Sequence, residues 1–309
     1  MPILQARQSI SAVPTFDWRA ALTRLDGAYA PKTLHEYAAD LLVFERWCTG
    51  AGLVPLPALA IDLAQFVETQ MARCAPRTVM RSLAAIRKIH RLLDLPDESR
   101  DELVLLAIRR GLRRSGRRPR QALGLSASLR DDLLASCPTT LKGLRDRALI
   151  AVGYDTLCRR SELAALRLED VERLARGGAK VLVRYAKNDP FGEGGVAYVS
   201  AAGAAHLEAW VGAANLTEGP LFRPIFKSAV GGRAIHPRTV NRVLQAAALQ
   251  AGCDPATIAR LSAHSLRVGP AQDLAIAGRS VLQIMRAGRW RHADAVSRYV
   301  RAADINIWT

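Results

Sequence analysis

Residues 264–301 read HSLRVGPAQDLAIAGRSVLQIMRAGRWRHADAVSRYVR, and this stretch decides how the chain is read. His264 and Arg267 are three residues apart, which puts them on one face of a helical turn. Trp290 follows, and its only polar atom is a donor. Tyr299 lies in an amphipathic run, Val296-Ser297-Arg298-Tyr299-Val300-Arg301. Together these side chains are a proton handler, two donors for phosphate oxygens and a hydroxyl nucleophile. In a strongly basic protein that set points to phosphoryl transfer on a nucleic-acid backbone. The pattern predicts a helix over 263–277, stopped by Gly278. Ser280-x-x-Gln283 has the spacing of a capping box and opens the next helix, to about Ala287. Pro270 sits three residues after Arg267, so the helix there is expected to start late or to kink.

Composition supports a polyanionic partner. The 309 residues carry 44 Lys plus Arg against 28 Asp plus Glu, a net charge of +16. The chain is 50% hydrophobic, enough for a packed core, and its length favours two domains. No 18-residue apolar span, secretory leader or lipidation motif is evident, and the opening MPILQARQSI is too short and too polar for a leader. Cys48, Cys74, Cys137, Cys158 and Cys253 are scattered and odd in number, so neither a disulfide framework nor a zinc site is expected. The six histidines show no metal spacing either. A reducing cytoplasm fits, with no metal and no cofactor.

The first third reads as helices. Leu34, Tyr37, Leu41, Phe44 and Trp47 repeat near every 3.6 residues over 33–48, with Gly50 and Gly52 as the stop. Further helices are expected over 61–73, from Pro76 to about Asp94, and over 99–112. On the third, Val79, Leu83, Ile86 and Leu93 form an apolar stripe, while Arg77, Arg81 and Lys88, with Arg87 and Arg91 beside them, form a basic face. Arg109 to Arg120 then holds seven Arg in twelve residues, with Gly111, Gly116 and Pro119 interspersed. Like charges at that density repel and extend a chain. The run reads as a linker that orders against phosphates through Arg113, Arg114, Arg117, Arg118 and Arg120. Domains are therefore expected at 1–112 and 125–309, with a linker at 113–124. In the second domain, helices are expected over 128–135, 143–155, 162–169, 201–213 and 238–252. Val181–Tyr185 and Gly195–Val199 read as a hairpin with a turn-rich tip.

Residues 264–301 resemble the C-terminal signature of the tyrosine recombinase (phage integrase) family. The runs HSLRVGPAQDLAIAG, IMRAGRW and VSRYVR are closest to its Cre-like members. Upstream, Thr156-Leu157-Cys158-Arg159-Arg160-Ser161-Glu162-Leu163 resembles the family's first Arg motif, in which an Arg precedes an acidic residue by three. That spacing selects Arg159 over Arg160. The helical first third and the RQAL boundary also look Cre-like. The resemblance implies a mainly α fold: a helical N-terminal DNA-binding domain and a mixed α/β catalytic domain with a small antiparallel hairpin or sheet.

It also implies roles. Arg suits the clamping of phosphate because its planar fork donates to two oxygens, and the resemblance places Arg159 and Arg267 there. Tyr299 would attack phosphorus and leave a 3′-phosphotyrosyl link. A free Tyr has a pKa of about 10, so it needs a proton acceptor, and His264 resembles the residue used for that. Lys187, at the start of the hairpin tip, matches the family's general acid by position, with Lys180 as the near competitor. Trp290 stands where many members carry a second His, and it can donate to phosphate but not shuttle a proton. Glu162 either orients a catalytic group or makes a plain helix salt bridge.

The basic face is expected to contact DNA phosphates and, in part, bases, and the resemblance implies that it forms one arm of a clamp around duplex DNA. The resemblance implies double-stranded DNA with specific sites as the partner, bound by a homotetramer that exchanges strands through a Holliday junction. The tail Asp304–Thr309 carries Ile305, Ile307 and Trp308, which pack either within the chain or onto a neighbouring protomer. A type IB topoisomerase or telomere resolvase is the rival enzyme reading, and a non-catalytic architectural DNA-binding protein is the rival from another class. The setting expected is the cytoplasm of a bacterium, with the gene carried by the cell or by a phage, plasmid or other mobile element.

Overall fold

The computed structural model describes residues 16–116, 121–184, 194–301 and 303. The chain divides into two compact units, Met1–Arg120 and Gln121–Thr309.

The first unit is helical: α1 (Trp18–Thr23), α2 (Pro31–Gly50), α3 (Ala60–Arg73), α4 (Pro76–Leu92) and α5 (Glu102–Ser115). Four of these five starts have a local cause. Asp17 and Asp101 accept from backbone N–H groups at the openings of α1 and α5, and Pro31 and Pro76 occupy the first turns of α2 and α4. The core packs Phe44 edge-on to Phe66 at 5.0 Å, with the Trp47 ring 5.4 Å from Phe66. The basic run beginning at Arg109 differs from the extended linker expected. Its first half is helical, and α5 continues to Ser115 before Gly116 ends it at φ 47°. The reason is packing. Val104, Ala107, Ile108 and Gly111 are buried on one face, so Arg109, Arg110, Arg113 and Arg114 merely occupy the other. Gly111 is a contact residue rather than a breaker: a Cβ there would lie 2.6 Å from Cγ of Met71 on α3.

The second unit surrounds α7 (Leu141–Thr156), whose residues from Ala148 to Tyr154 are all buried. α6 (Ala127–Ser136) precedes it and α8 (Arg160–Ala165) follows. Next comes an antiparallel sheet of order β1-β2-β3, made of Val171–Arg173, Ala179–Val183 and Gly195–Val199. Val181 pairs with Ala197 and Val183 with Gly195, so Ala179, Val181, Val183, Ala197 and Val199 face the core. The short β1 carries no alternation that sequence reading could detect. α9 (Ala201–Ala213) packs on α7. A small hairpin of β4 (Ile225–Phe226) and β5 (Ala229–Val230) leads to α10 (Arg238–Gln250) and α11 (Pro255–Arg260). The chain closes with α12 (Ser265–Ile276), α13 (Val281–Gly288) and α14 (Ala293–Val300). Ser280 and Gln283 form the reciprocal capping box expected at α13.

Pro270 neither delays nor breaks α12, which begins at Ser265, directly after His264. Every residue from Ser265 to Ala271 is buried, and that packing outweighs the missing N–H. The segment before α6 lies against the same turn: Leu125 N donates to Ser265 O at 3.1 Å. A Cβ on Gly269 would lie 1.8 Å from Leu125 O, so only glycine permits this crossing.

Candidate active site

Three chain segments in the second unit meet at one place. The first is the α7–α8 junction. Leu157 turns the chain at φ 50°, Cys158 is fully buried, and Arg159 stands at the N-cap of α8. Glu162 reaches back to cap that helix, accepting from Arg159 N at 2.9 Å and from Arg159 Nη1 at 2.6 Å. Burial pushes the Glu162 carboxyl up, but those bonds and the charges of Arg159 and Arg289 outweigh it and hold it below its ordinary range.

The second segment is the start of α12. His264 occupies the N-cap position, and Arg267 is only 1% exposed. Arg267 Nη1 donates to Leu157 O and Nη2 to Gly288 O at 3.4 Å. Its Nε has no partner, and among the described residues it is the one buried side-chain polar atom so placed.

The third segment is α13–α14. Trp290 and Tyr299 stack with ring centroids 4.7 Å apart and planes at 15°. The Arg267 guanidinium carbon lies 5.2 Å from the Trp290 ring centroid and 5.7 Å from that of Tyr299. The His264 ring is 5.2 Å from the Tyr299 ring and keeps an exposed face. Burial of its other side, with the charges of Arg267 and then Arg159, holds its pKa below the ordinary histidine value. The ring is therefore neutral at pH 7 and able to accept a proton. Burial likewise disfavours the charge on Arg267, while its contact with the Tyr299 hydroxyl favours it.

Arg159, Glu162, His264, Arg267, Trp290 and Tyr299 thus converge across more than a hundred residues of sequence. Lys187 lies outside the described residues. Its competitor Lys180 is paired with Glu172 at 2.9 Å. Sequence reading missed the supports. Gln121 Nε2 and Gln272 Nε2 donate to Tyr299 O at 3.0 and 3.3 Å, fixing the backbone that carries the hydroxyl. Gly288 leaves room for the indole, since a Cβ there would lie 2.7 Å from the Trp290 ring. Arg289 reaches Thr156 O at 2.9 Å and Glu162 Oε2 at 3.2 Å. None of these residues carries a local signal, because each is defined by what it meets. Among the described residues, no three His, Cys, Asp or Glu side chains cluster to hold a metal, and no helix is long and apolar enough to cross a membrane.

In the first unit, the basic face of α4 is less free than the sequence pattern suggested. Arg81 is bound to the buried Asp40 at 2.7 and 2.9 Å and lies 3.6 Å from Glu36. Arg87 donates to Ser99 at 2.9 Å and lies 3.4 Å from Asp97, which is also 3.9 Å from Arg91. Lys88 sits 5.1 Å from the Tyr29 ring centroid. Arg77 is exposed, as are Arg113 and Arg114 on α5. Arg117, Arg118 and Arg120 lie outside the described residues. The acids that engage Arg81, Arg87 and Arg91 come from other elements, so the helix pattern of α4 could not reveal them.

The fold and this cluster define a class. The model of the Phage integrase family matches residues 125–305. The chain is 30% identical over 302 residues to an integrase/recombinase xerD homolog of Selenomonas ruminantium, covering 92% of this chain and 86% of that protein. It is 27% identical over 277 residues to the recombinase cre of Escherichia phage P1, covering 84% of this chain and 80% of that one. Among solved structures, the XerH site-specific recombinase bound to a palindromic difH substrate aligns with a TM-score of 0.65 at 15% identity, over 88% of this chain and 76% of that one. A lambda integrase dimer bound to a COC′ core site aligns at 0.58 and 15% identity, over 94% and 96% of the two chains. The chain belongs to the phage integrase family. It is a tyrosine recombinase, an enzyme that recombines DNA at specific sites.

Proposed function

We propose that the converged side chains carry out strand cleavage and rejoining in duplex DNA. The Tyr299 hydroxyl oxygen attacks the scissile phosphorus and its proton passes to His264. The bond from phosphorus to the 5′ oxygen breaks, that oxygen takes a proton from Lys187, and a 3′-phosphotyrosyl ester remains. Arg159 and Arg267 donate to the non-bridging oxygens, and Trp290 adds an indole N–H. Glu162 holds Arg159 in place. Rejoining is the reverse, with a 5′ hydroxyl from the partner strand, so no cofactor is needed. The observation that carries this reading is the buried, unpartnered Arg267 Nε beside the Trp290–Tyr299 stack. A buried guanidinium donor without a protein acceptor suits an anion brought by the substrate.

In this reading, residues 1–112 and 125–309 are DNA-binding and catalytic domains joined by the basic segment 113–124. Arg77, Arg113 and Arg114 contact phosphates through exposed side chains, and Lys88 and Arg91 assist. Arg117, Arg118 and Arg120 extend that contact. Four protomers act on two sites and pass through a Holliday junction in the cytoplasm, with Ile305, Ile307 and Trp308 docking onto a neighbour. The test is incubation with nicked duplexes carrying candidate sites. An SDS-stable protein–DNA adduct that disappears in Tyr299→Phe is expected. An adduct that survives this change refutes the nucleophile. Relaxation of a supercoiled plasmid lacking any site would favour a topoisomerase instead.

A further inference from the structure

Arg289 sits directly before Trp290 in a left-handed conformation, φ 52° and ψ 48°. An L side chain is disfavoured there, and glycine is the residue that adopts it freely. A bulky non-glycine residue held in this region by the surrounding structure is a place to look for a functional constraint. The contacts of Arg289 are specific. Nη1 donates to Thr156 O at 2.9 Å, and Nη2 lies 3.3 Å from Cys158 Sγ and 3.2 Å from Glu162 Oε2. All three acceptors belong to the α7–α8 junction that presents Arg159. The side chain is only 12% exposed. Its methylenes lie on the base of the β2–β3 hairpin, where a Cβ on Gly195 would come 2.8 Å from Arg289 Cδ. One side chain therefore joins the Trp290 turn, the Arg159 cradle and the hairpin base.

We propose that Arg289 is a positioning residue for strand cleavage, acting through Glu162 on Arg159. Glu162 has two cations to satisfy. Oε2 accepts from Arg289 Nη2 and from the Arg159 backbone N–H, which leaves Oε1 directed at the Arg159 guanidinium. Without Arg289 the carboxylate keeps the Arg159 N–H and Nη1 as partners but loses its second cation, so the angle at which it meets the phosphate fork of Arg159 is less firmly held. The inference rests on the catalytic reading above, and its failure can be told apart from failure of that reading. Tyr299→Phe tests the nucleophile, whereas Arg289 variants test the brace.

The experiment measures single-turnover adduct formation at saturating protein, DNA affinity and thermal unfolding for Arg289→Gly and Arg289→Lys. Glycine relieves the backbone and removes the contacts. Its cleavage rate should fall roughly 10- to 100-fold, as misplacement of a catalytic group does, with affinity retained. Lysine keeps the charge without the fork and should recover part of the rate. The loss caused by Arg289→Gly should shrink in a Glu162→Gln background, since both changes break one linkage. Wild-type cleavage by both variants overturns the proposal, as does an undiminished loss in the Glu162→Gln background. If the glycine variant fails to fold, the lysine variant decides: reduced cleavage with retained affinity supports the brace, and an unchanged rate refutes it.

Discussion

The α4 face of the first unit and the α12–α14 cluster of the second are both rich in arginine, yet they hold it differently. Arg81 and Arg87 are tied to Asp40, Asp97 and Ser99 within their own unit. Arg267 is more deeply buried than either, but its Nε is left without an acceptor, and its neighbours are aromatic rings and backbone carbonyls. Arg81 is held by the buried Asp40 carboxylate and so ties α4 to α2, as Arg87 is held by Ser99 and Asp97. Arg267, buried with an unused donor, is the one that the proposed mechanism gives an anion arriving from outside. The number of arginines on a face therefore says less than the number of acids around them.

This contrast can be broken in several places. The largest effect is expected at the cluster, where Tyr299→Phe should abolish the covalent adduct while DNA binding persists, read by denaturing gel and mobility shift. Arg267→Lys keeps the charge but loses the fork. Cleavage should drop by roughly 10²–10³-fold, the scale of removing one preorganised transition-state donor. A near wild-type rate would mean that Arg267 does not touch the phosphate.

Next come two glycines. Gly269→Ala forces a Cβ to within 1.8 Å of the Leu125 backbone oxygen, whereas Gly111→Ala meets the side chain of Met71 at 2.6 Å. Overpacking costs about 1–3 kcal/mol where neighbours can shift, so thermal unfolding should show a clearly greater loss for Gly269→Ala. Equal losses would mean that the α12 crossing is as pliable as the α3–α5 contact. Arg81→Ala strands the buried Asp40 carboxylate and should cost about 1–3 kcal/mol of stability. Arg77→Ala should leave stability unchanged, weaken DNA binding for all sequences alike and lower the salt slope by about 1. The reverse pattern would erase the distinction between paired and free arginines on α4.

The smallest effect concerns pH. In the proposed mechanism His264 acts as a base when neutral, and its pKa is lowered by burial and by Arg267 and Arg159. Adduct formation should therefore persist as pH falls through the ordinary histidine value of about 6.5, and decline only below it. An acid limb at or above that value would show that the imidazole is not held neutral.

Much of the fold was legible because it is local. The apolar period of α4, Pro76 at its start and the Ser280–Gln283 box each act within a few residues, and the structure has them where the pattern put them. The site was legible only as motifs. His264 and Arg267 share a turn, and Arg159 and Glu162 share another, so their spacing carries information. Gln121, Gln272, Gly288 and Arg289 were not visible as supports, because their partners lie in other segments of the chain. β1 was missed since three residues show no alternation, and the helix that runs on through Arg113 and Arg114 to Ser115 was expected to end at Leu112 because charge was weighed over the buried stripe beside them.

The sequence by itself determined the charge, the helical periodicities and the chemical types in four short motifs, since these depend on residues near one another in the chain. Only the tertiary structure decided which arginines are spent on protein carboxylates and which keep a free donor. It also decided that α12 runs through Pro270, and that Arg289 adopts a left-handed turn to reach Glu162. Those outcomes depend on burial and on partners in other elements, 41 residues away for Arg81 and 127 for Arg289, where packing outweighs local preference.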